Sequence, residues 1–188
     1  TACSSRLTTD ELNYIINDCG AKAFITSKYK TEQAQQVVAT TPNVGLRLML
    51  DGVIDKYDSY EQVVDKASAT PIENRVDGVD MLYSSGTTGR PKGIKLGLSM
   101  SPLGSPTSLS ALCGMLFAID KDAIYLSPAP LYHAAPLRFT MTTHRLGGTA
   151  IIMEHFDPEE YLRLVQKHKV THSQLVPTMF VRMLKLDD

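Results

Sequence analysis

Helix-like and strand-like patterns alternate along almost the whole chain, and this alternation constrains its fold more than any other feature. Thr8 and Glu11 have the spacing of a capping box, in which each side chain satisfies a backbone donor of the other, so a helix is predicted to begin there. Gly20 follows the apolar face of that helix and can adopt the left-handed conformation that ends a helix. Repetition of such units predicts an α/β fold with layered helices over a mostly parallel sheet.

Hydrophobic periodicity also gives each element an expected position. The helix expected at 158–169 should be capped by Asp157, with Pro158 at its first position and Glu160 completing a capping box. A change in composition at 68–78 indicates a boundary between two sub-structures, and 97–108 should be irregular. Strands are expected at 23–25, 46–50, 79–83, 94–96, 123–126, 149–153 and 172–176, and helices at 9–19, 30–39, 60–67, 108–118, 137–145, 158–169 and from 177 onward.

Charge and hydropathy exclude several classes of function. The net charge of -1 over 188 residues gives no basic surface of the kind that binds DNA, RNA or anionic lipid, so no nucleic-acid partner is expected. No apolar run approaches the roughly 20 residues that a membrane-spanning helix needs, so no transmembrane segment is expected. The sequence starts with neither Met nor a secretion signal and stops within a helical pattern, so we expect an internal fragment of a longer chain.

The cysteines and histidines show no metal-binding or disulfide pattern. Cys3, Cys19 and Cys113 are odd in number and widely spaced. We interpret Cys19 and Cys113, which lie in apolar-periodic segments, as small buried apolar residues of a protein in the reducing cytoplasm. The four histidines other than His133 lack metal-ligand spacing and are expected at the surface or at helix ends; these are His144, His155, His168 and His172.

One segment carries clear chemistry, namely residues 83–93, which read Y-S-S-G-T-T-G-R-P-K-G. Its glycines allow backbone N–H groups to approach an anion closely, the hydroxyls add donors, and Lys92 supplies a compact positive charge suited to phosphate. The segment is not a Walker A loop, because Pro91 and Gly93 stand where that pattern needs Gly and Ser or Thr. We call residues 83–93 the phosphate loop. The alternative, a flexible Gly/Ser linker, does not explain the apolar strand before it or the Pro-Lys-Gly after it.

The phosphate loop resembles the signature loop of the adenylate-forming superfamily, Y-[TS]-[ST]-G-[ST]-T-G-x-P-K-G, over all eleven residues. That superfamily includes acyl-CoA synthetases, aryl-CoA ligases, luciferases and the amino-acid-activating domains of peptide synthetases. The resemblance implies that Thr87, Thr88 and Lys92 hold the ATP phosphates in the catalytic step, and that Ser84 is a ligand of Mg²⁺. The nucleotide-binding set that it implies is Ser84, Ser85, Gly86, Thr87, Thr88, Gly89, Lys92 and Gly93.

Further segments resemble the same superfamily. Residues 6–23 are similar to its R-L-[ST]-x-x-E-L-x-x-I-L-x-D-[SC]-G-A-K segment, and 146–158 to a later strand and helix start. Residues 130–133 are similar to its P-L-[FY]-H motif, which implies that Tyr132 and His133 stand between the ATP and carboxylate sites and gate substrate entry. Without the resemblance, the alternative interpretation of His133 is a loop histidine that is hydrogen-bonded to the backbone.

The region around residues 170–178 resembles the strand and helix that line the acyl pocket, which implies substrate contacts for Val176 and Pro177. Leu175, Met179 and Phe180 extend this apolar stretch, and ordinary core packing is an equally good explanation of it. One departure from the superfamily pattern lies after Gly93, where the usual V-x-x-[ST]-H-x-N is absent and 101–106 is rich in Pro and Ser. That difference bears on local loop conformation and thioester-step contacts.

The resemblance implies an activity, namely ATP-dependent conversion of a carboxylic acid, fatty or related, to an acyl-adenylate and then to a thioester of coenzyme A. The segment 131–134 carries no acidic residue of the kind that binds an amino-acid ammonium, which favours a plain carboxylate with an apolar or aromatic tail. The implied small-molecule partners are this acid, ATP with Mg²⁺, and coenzyme A, and a homodimer stays open. An adenylation domain that loads a carrier protein and a non-catalytic phosphate-binding module are the alternatives.

The resemblance also bears on how much of an enzyme the chain contains. Residues 1–188 are expected to be a fragment of the AMP-binding N-terminal domain, without the superfamily's carboxyl-terminal lid domain and its catalytic lysine. We therefore expect an active parent and an inactive fragment.

Overall fold

The computed structural model describes residues 1–84 and 90–186, and it divides the chain into two compact units, with the boundary between Met100 and Ser101. The composition break at 68–78 falls inside the first unit, so the boundary expected there stays a prediction. Elements of the first unit are α1 Thr9–Asp18, β1 Ala23–Ser27, a 3-10 helix Lys28–Lys30, α2 Thr31–Val38, β2 Leu46–Leu50, β3 Asp58–Ser59, α3 Tyr60–Lys66, β4 Leu82–Ser84 and β5 Lys92–Ile94. Elements of the second unit are α4 Ser108–Phe117, β6 Ile124–Ser127, α5 Ala134–Arg145, β7 Thr149–Ile152, α6 Pro158–His168, β8 His172–Ser173 and α7 Pro177–Met183.

The first unit has a parallel sheet, in the order β1-β2-β3, packed against helices α1 and α2. The capping box predicted for α1 is present, because Glu11 Oε2 accepts a hydrogen bond from the Thr8 backbone at 2.8 Å and Thr8 Oγ1 accepts one from the Glu11 backbone. That hydrogen bond from the Thr8 backbone lowers the pKa of Glu11. Leu12 and Ile16 on the apolar face of α1 pack with Val37 of α2 in the core.

Strand β1 corrects one expectation. The sequence predicts a buried strand, yet Ile25 is 50% exposed and Phe24 is half-buried. The strand lies at the edge of its sheet, and Phe24 faces the core beside Tyr57, in an edge-to-face contact with ring centroids 6.4 Å apart. Successive side chains of a strand point to opposite faces, so Ile25 faces away from that core.

The second unit repeats the arrangement, with a parallel sheet in the order β7-β6-β8. Strand β6 is central, and its residues Tyr125 to Ser127 are buried. Helix α4 has a capping box between Thr107 and Ser110 and contacts α5, so Cys113 is fully buried beside Ile119. Sheets that are parallel in both units confirm the predicted fold class of layered helices over mostly parallel sheet.

Helix α6 begins as predicted at Asp157, whose side chain accepts a hydrogen bond from the Glu160 backbone at 2.8 Å. The prediction that the Glu160 side chain completes this capping box is wrong. Both carboxylate oxygens of Glu160 accept hydrogen bonds from Arg163 one turn later, and this interaction lowers the pKa of Glu160. A charged partner three residues along the helix competes with the neutral backbone donor for the same oxygens.

Within the described part of the chain, no helix is long and apolar enough to cross a membrane. The cysteines are free thiols, and Cys3 and Cys19 are half-buried. Among the residues that the structure describes, no group of three or more His, Cys, Asp or Glu is arranged to hold a metal ion.

Candidate functional site

The two ends of the phosphate loop form an antiparallel hairpin of β4 and β5, which we call the phosphate-loop hairpin. Its register pairs Tyr83 with Gly93 and Ser84 with Lys92. Directly paired residues of antiparallel strands project from the same face, so the Ser84 and Lys92 side chains leave the hairpin on the same face, and both residues are exposed. The other predicted phosphate ligands fall outside the described residues; these are Ser85, Gly86, Thr87, Thr88 and Gly89.

Gly93 lies in a close approach between the two strands of the hairpin. A Cβ at this position would stand 2.9 Å from Tyr83 Cζ and 2.6 Å from Met81 Cε, both inside the closest distances that side chains tolerate. The Tyr83 ring therefore covers a surface that only glycine leaves open. The position of the Tyr83 ring therefore requires a glycine at residue 93.

Tyr83 is also tied to the carboxyl-terminal end of α1. Its hydroxyl donates a hydrogen bond to Asp18 Oδ2, and its ring meets the ring of Tyr14 edge-to-face, with centroids 6.5 Å apart. Partial burial, followed by the bond to Asp18, raises the pKa of Tyr83 well above the ordinary value.

Arg90, at the other end of the phosphate loop, reaches the same helix. Its guanidinium lies over the Tyr14 ring, 5.4 Å from the centroid. Tyr14 and Asp18 are four residues apart and therefore share one face of α1. Tyr83 and Arg90 flank the central residues of the phosphate loop, and we call them its stems. Both stems contact that face of α1.

The hairpin as described offers chemistry for a phosphate group. An ammonium beside a hydroxyl provides one positive charge and additional hydrogen-bond donors within a short span. The Ser84 hydroxyl is the one atom described here that the resemblance assigns to Mg²⁺, an ion that usually keeps several waters and binds substrate phosphate oxygens. These residue types fit a polyphosphate with its magnesium ion.

Tyr132 and His133 belong to the second unit, at the start of helix α5. Their rings lie with centroids 4.4 Å apart, and His133 is the residue that precedes the helix. The His133 backbone N–H donates to the Pro130 carbonyl at 3.1 Å, while its exposed imidazole makes no capping hydrogen bond to the helix. The backbone bond holds the residue in place and leaves the ring facing outward.

Val176 and Pro177 come to the same edge of the second unit's sheet. β6 and β8 are parallel neighbours, with Leu126 paired to Ser173, so the segments that follow them leave the sheet on the same side. One of these segments carries Tyr132 and His133, and the other carries Val176 and Pro177. Ligands of parallel α/β sheets bind at this carboxyl-terminal edge.

Exposure divides the apolar stretch around Val176. Val176 is 41% exposed and Phe180 is 51% exposed, whereas Met179 is buried at 9%. Met179 therefore packs in the interior, whereas Val176, Pro177 and Phe180 are exposed and within reach of a ligand.

The sequence analysis did not predict the contacts that Tyr14 and Asp18 make with Tyr83 and Arg90. Asp18 lies inside the segment 6–23 that resembles the superfamily, and its partner Tyr83 is 65 positions further along the chain. No local pattern reports a contact at that separation. The available signal was the placement of both residues in recognisable superfamily segments.

Comparison with known proteins agrees with this geometry. The family model described as AMP-binding enzyme matches residues 1–188. Acyl-CoA synthetase 7 of Caenorhabditis elegans is 27% identical over 194 residues, covering 98% of this chain and 36% of that protein. The peroxisomal benzoate–CoA ligase of Arabidopsis thaliana is 31% identical over 134 residues, covering 67% of this chain and 22% of that protein.

Solved structures show the same fold. ATP-bound MatB from Rhodopseudomonas palustris is 26% identical, with a TM-score of 0.74, and the match covers 98% of this chain and 35% of that one. The inhibitor-bound N-terminal domain of FACL13 from Mycobacterium tuberculosis has a TM-score of 0.78 at 24% identity, covering 98% of this chain and 45% of that one. The chain thus spans between about a fifth and a half of the proteins that it resembles here.

The family match extends over the whole chain and includes the phosphate-loop hairpin whose residues fit a polyphosphate. The chain belongs to the family of AMP-binding enzymes.

Proposed function

We propose that the intact protein containing this chain activates a carboxylic acid with ATP and transfers the acyl group to coenzyme A. The observation that carries the proposal is the pairing of Ser84 with Lys92 at the base of a loop whose whole sequence fits polyphosphate binding. The relatives named above include acid–CoA ligases, and one of the solved structures holds ATP. These likenesses support the same reaction class.

In the proposed reaction, bound MgATP supplies an electrophilic α-phosphorus and pyrophosphate as leaving group. The Lys92 ammonium offsets negative charge that builds on that leaving group. Ser84, with Thr87 and Thr88 from the resemblance, orients the phosphates and the metal ion. The substrate carboxylate is itself the nucleophile, so the task of this chain is to bind, orient and neutralise.

The acid is proposed to carry an apolar tail, of the fatty or related class. Tyr132 and His133 begin a helix in a segment without an acidic side chain, so nothing in 131–134 matches a substrate ammonium group. Val176 and Phe180 offer reachable apolar surface at the same edge of the sheet. An amino-acid substrate would need a carboxylate there to pair with its positive charge.

Pyrophosphate release by the intact parent tests the proposal, using fatty, aryl and amino acids with and without coenzyme A. Thioester formed from a fatty or aryl acid is the expected result. Adenylate formed without transfer to coenzyme A, or from amino acids in preference, would instead identify an adenylation domain that loads a carrier protein. In ATP–pyrophosphate exchange, residues 1–188 by themselves should give no turnover, and turnover would contradict the expectation of an inactive fragment.

A further inference from the structure

Two different faces of helix α1 make contacts with the rest of the first unit. Leu12, Ile15 and Ile16 are buried on one face, with exposed fractions between 3% and 6%. Tyr14 and Asp18 share a different face, one helical turn apart, and neither belongs to that core. Burial of the apolar face is enough to hold the helix in the fold. It does not explain why Tyr14 and Asp18 contact the phosphate loop.

The second face contacts both ends of the phosphate loop. Asp18 accepts the hydrogen bond of the Tyr83 hydroxyl. The Tyr14 ring contacts both the Tyr83 ring, which it meets at an interplanar angle of 82°, and the guanidinium of Arg90. Tyr83 begins the phosphate loop and Arg90 follows its central residues, so one helical turn contacts the chain on either side of the proposed phosphate site.

The phosphate-loop hairpin needs such support. It consists of two strands of three residues each, and isolated two-stranded hairpins are at best marginally stable in water. Ser84 and Lys92 are both exposed, so their own packing does not fix them. Charged groups that act on a substrate are effective only when they are held in place before it binds.

We propose that Tyr14 and Asp18 are positioning residues for nucleotide binding, which hold Tyr83 and Arg90 and thereby keep Ser84 opposite Lys92. The inference rests on the proposed function. Asp18 acts through Tyr83, and Tyr14 acts through both stems. Neither residue needs to touch the nucleotide.

Steady-state kinetics of the intact parent test this role. Asp18→Ala should raise the KM for ATP about five- to tenfold, the range that corresponds to one ordinary hydrogen bond. The KM for the carboxylic acid should not change. Asp18→Asn should raise the KM for ATP less than Asp18→Ala, because its amide oxygen can still accept a hydrogen bond from the Tyr83 hydroxyl. Asp55→Ala, at an exposed aspartate in a turn of the same unit, is the matched control.

A double-mutant cycle shows whether Asp18 works through Tyr83. Tyr83→Phe removes the same hydrogen bond, so the pair Asp18→Ala with Tyr83→Phe should bind ATP no more weakly than the worse single variant. Tyr14→Leu should raise the KM for ATP as well. An unchanged KM for ATP in Asp18→Ala, or effects of Asp18 and Tyr83 that multiply in the double variant, would overturn the inference.

A second measurement separates this inference from the proposed function. If the wild-type parent turns over no acid in the panel, the proposed function fails. Amide hydrogen exchange of 82–84 and 92–94 in the same protein then still tests the contact. Faster exchange in Asp18→Ala and Tyr83→Phe, with Asp55→Ala like wild type, supports a hold on the hairpin by α1, and unchanged exchange overturns it.

Discussion

The ring of Tyr83 lies against Gly93 on the opposite strand, so closely that a single methyl group at position 93 would stand 2.9 Å from Tyr83 Cζ. Met81 closes the same space from the side, because its Cε would lie 2.6 Å from that methyl group. Since the Tyr83 hydroxyl is fixed by Asp18, the ring has little freedom to withdraw. The geometry of the hairpin thus depends on the absence of a side chain at residue 93.

Gly93→Ala should displace the Tyr83 ring and with it the pairing of Ser84 with Lys92. We expect a loss of about 1 to 3 kcal/mol in free energy of unfolding, the usual range for an overpacked site. The KM for ATP of the intact parent should rise as well. Gly97→Ala is the control, because nothing lies within 4 Å of a Cβ at that position. Equal melting curves for the two variants would contradict the steric argument.

Lys92→Ala tests whether the hairpin acts on phosphate. Loss of a charge that stabilises a leaving group typically lowers the rate about 10²- to 10³-fold, and we expect a fall of that size in ATP–pyrophosphate exchange by the intact parent. Lys95→Ala, at an exposed lysine just beyond β5, should exchange at the wild-type rate. Undiminished exchange in Lys92→Ala would favour a non-catalytic phosphate-binding module.

His133→Ala tests the predicted gate to the carboxylate. The exposed ring packs beside Tyr132 and makes no capping bond to α5, so its removal should leave the fold intact. We expect the KM for the acid to rise about tenfold while the KM for ATP is unchanged. His155→Ala, at an exposed histidine, is the matched control. Equal loss for both substrates would show that His133 supports structure in general.

Tyr125 should make the second unit sensitive to alkali. The residue is 1% exposed, and burial raises its pKa to about 12, against ~10 for a tyrosine in an unfolded chain. Between these values the unfolded chain has released the proton and the folded chain still holds it. Stability is therefore fully present below about pH 10 and falls as the pH rises towards 12, by roughly 2 kcal/mol for this residue.

Chemical denaturation at pH values from 8 to ~12 would measure this effect. Tyr125→Phe should flatten the alkaline fall, although Tyr57 and Tyr83, whose pKa values are also raised, will retain their share. At pH 7 the variant should be close to wild type, because the tyrosine is then protonated in the folded and the unfolded chain alike and contributes no charge to either. Tyr29→Phe, at a tyrosine that is 85% exposed, should keep the wild-type slope. The same slope in Tyr125→Phe would contradict the prediction.

Features that depend on neighbours in the chain follow from the sequence. The capping box of Thr8 and Glu11 spans three positions, and strand β2 has the predicted bounds, Leu46–Leu50. The resemblance of residues 83–93 to the superfamily loop likewise depends on only eleven contiguous residues. The partner of Glu160 was not, because two acceptable donors lie within its reach and the charged one, Arg163, is preferred.

Strand length was decided by the tertiary structure. The sequence predicts a strand over 172–176, and the structure pairs only His172 and Ser173 with β6. The imidazole Nε2 of His172 lies 2.7 Å from the Phe117 carbonyl, at the end of α4, and the chain then turns into α7. Sheet pairing depends on which neighbour is available, and a single strand does not record that.

The sequence by itself determined the α/β class and the resemblance of residues 83–93 to a superfamily loop, since these depend on periodicity and on contiguous residues. Only the tertiary structure placed Asp18 at the hydroxyl of Tyr83, 65 positions away, and laid the ring of Tyr83 across Gly93. Local spacing sets what a helix turn or a loop can do. Which distant side chains meet depends on how the elements pack, and a pattern of a few residues carries no record of that.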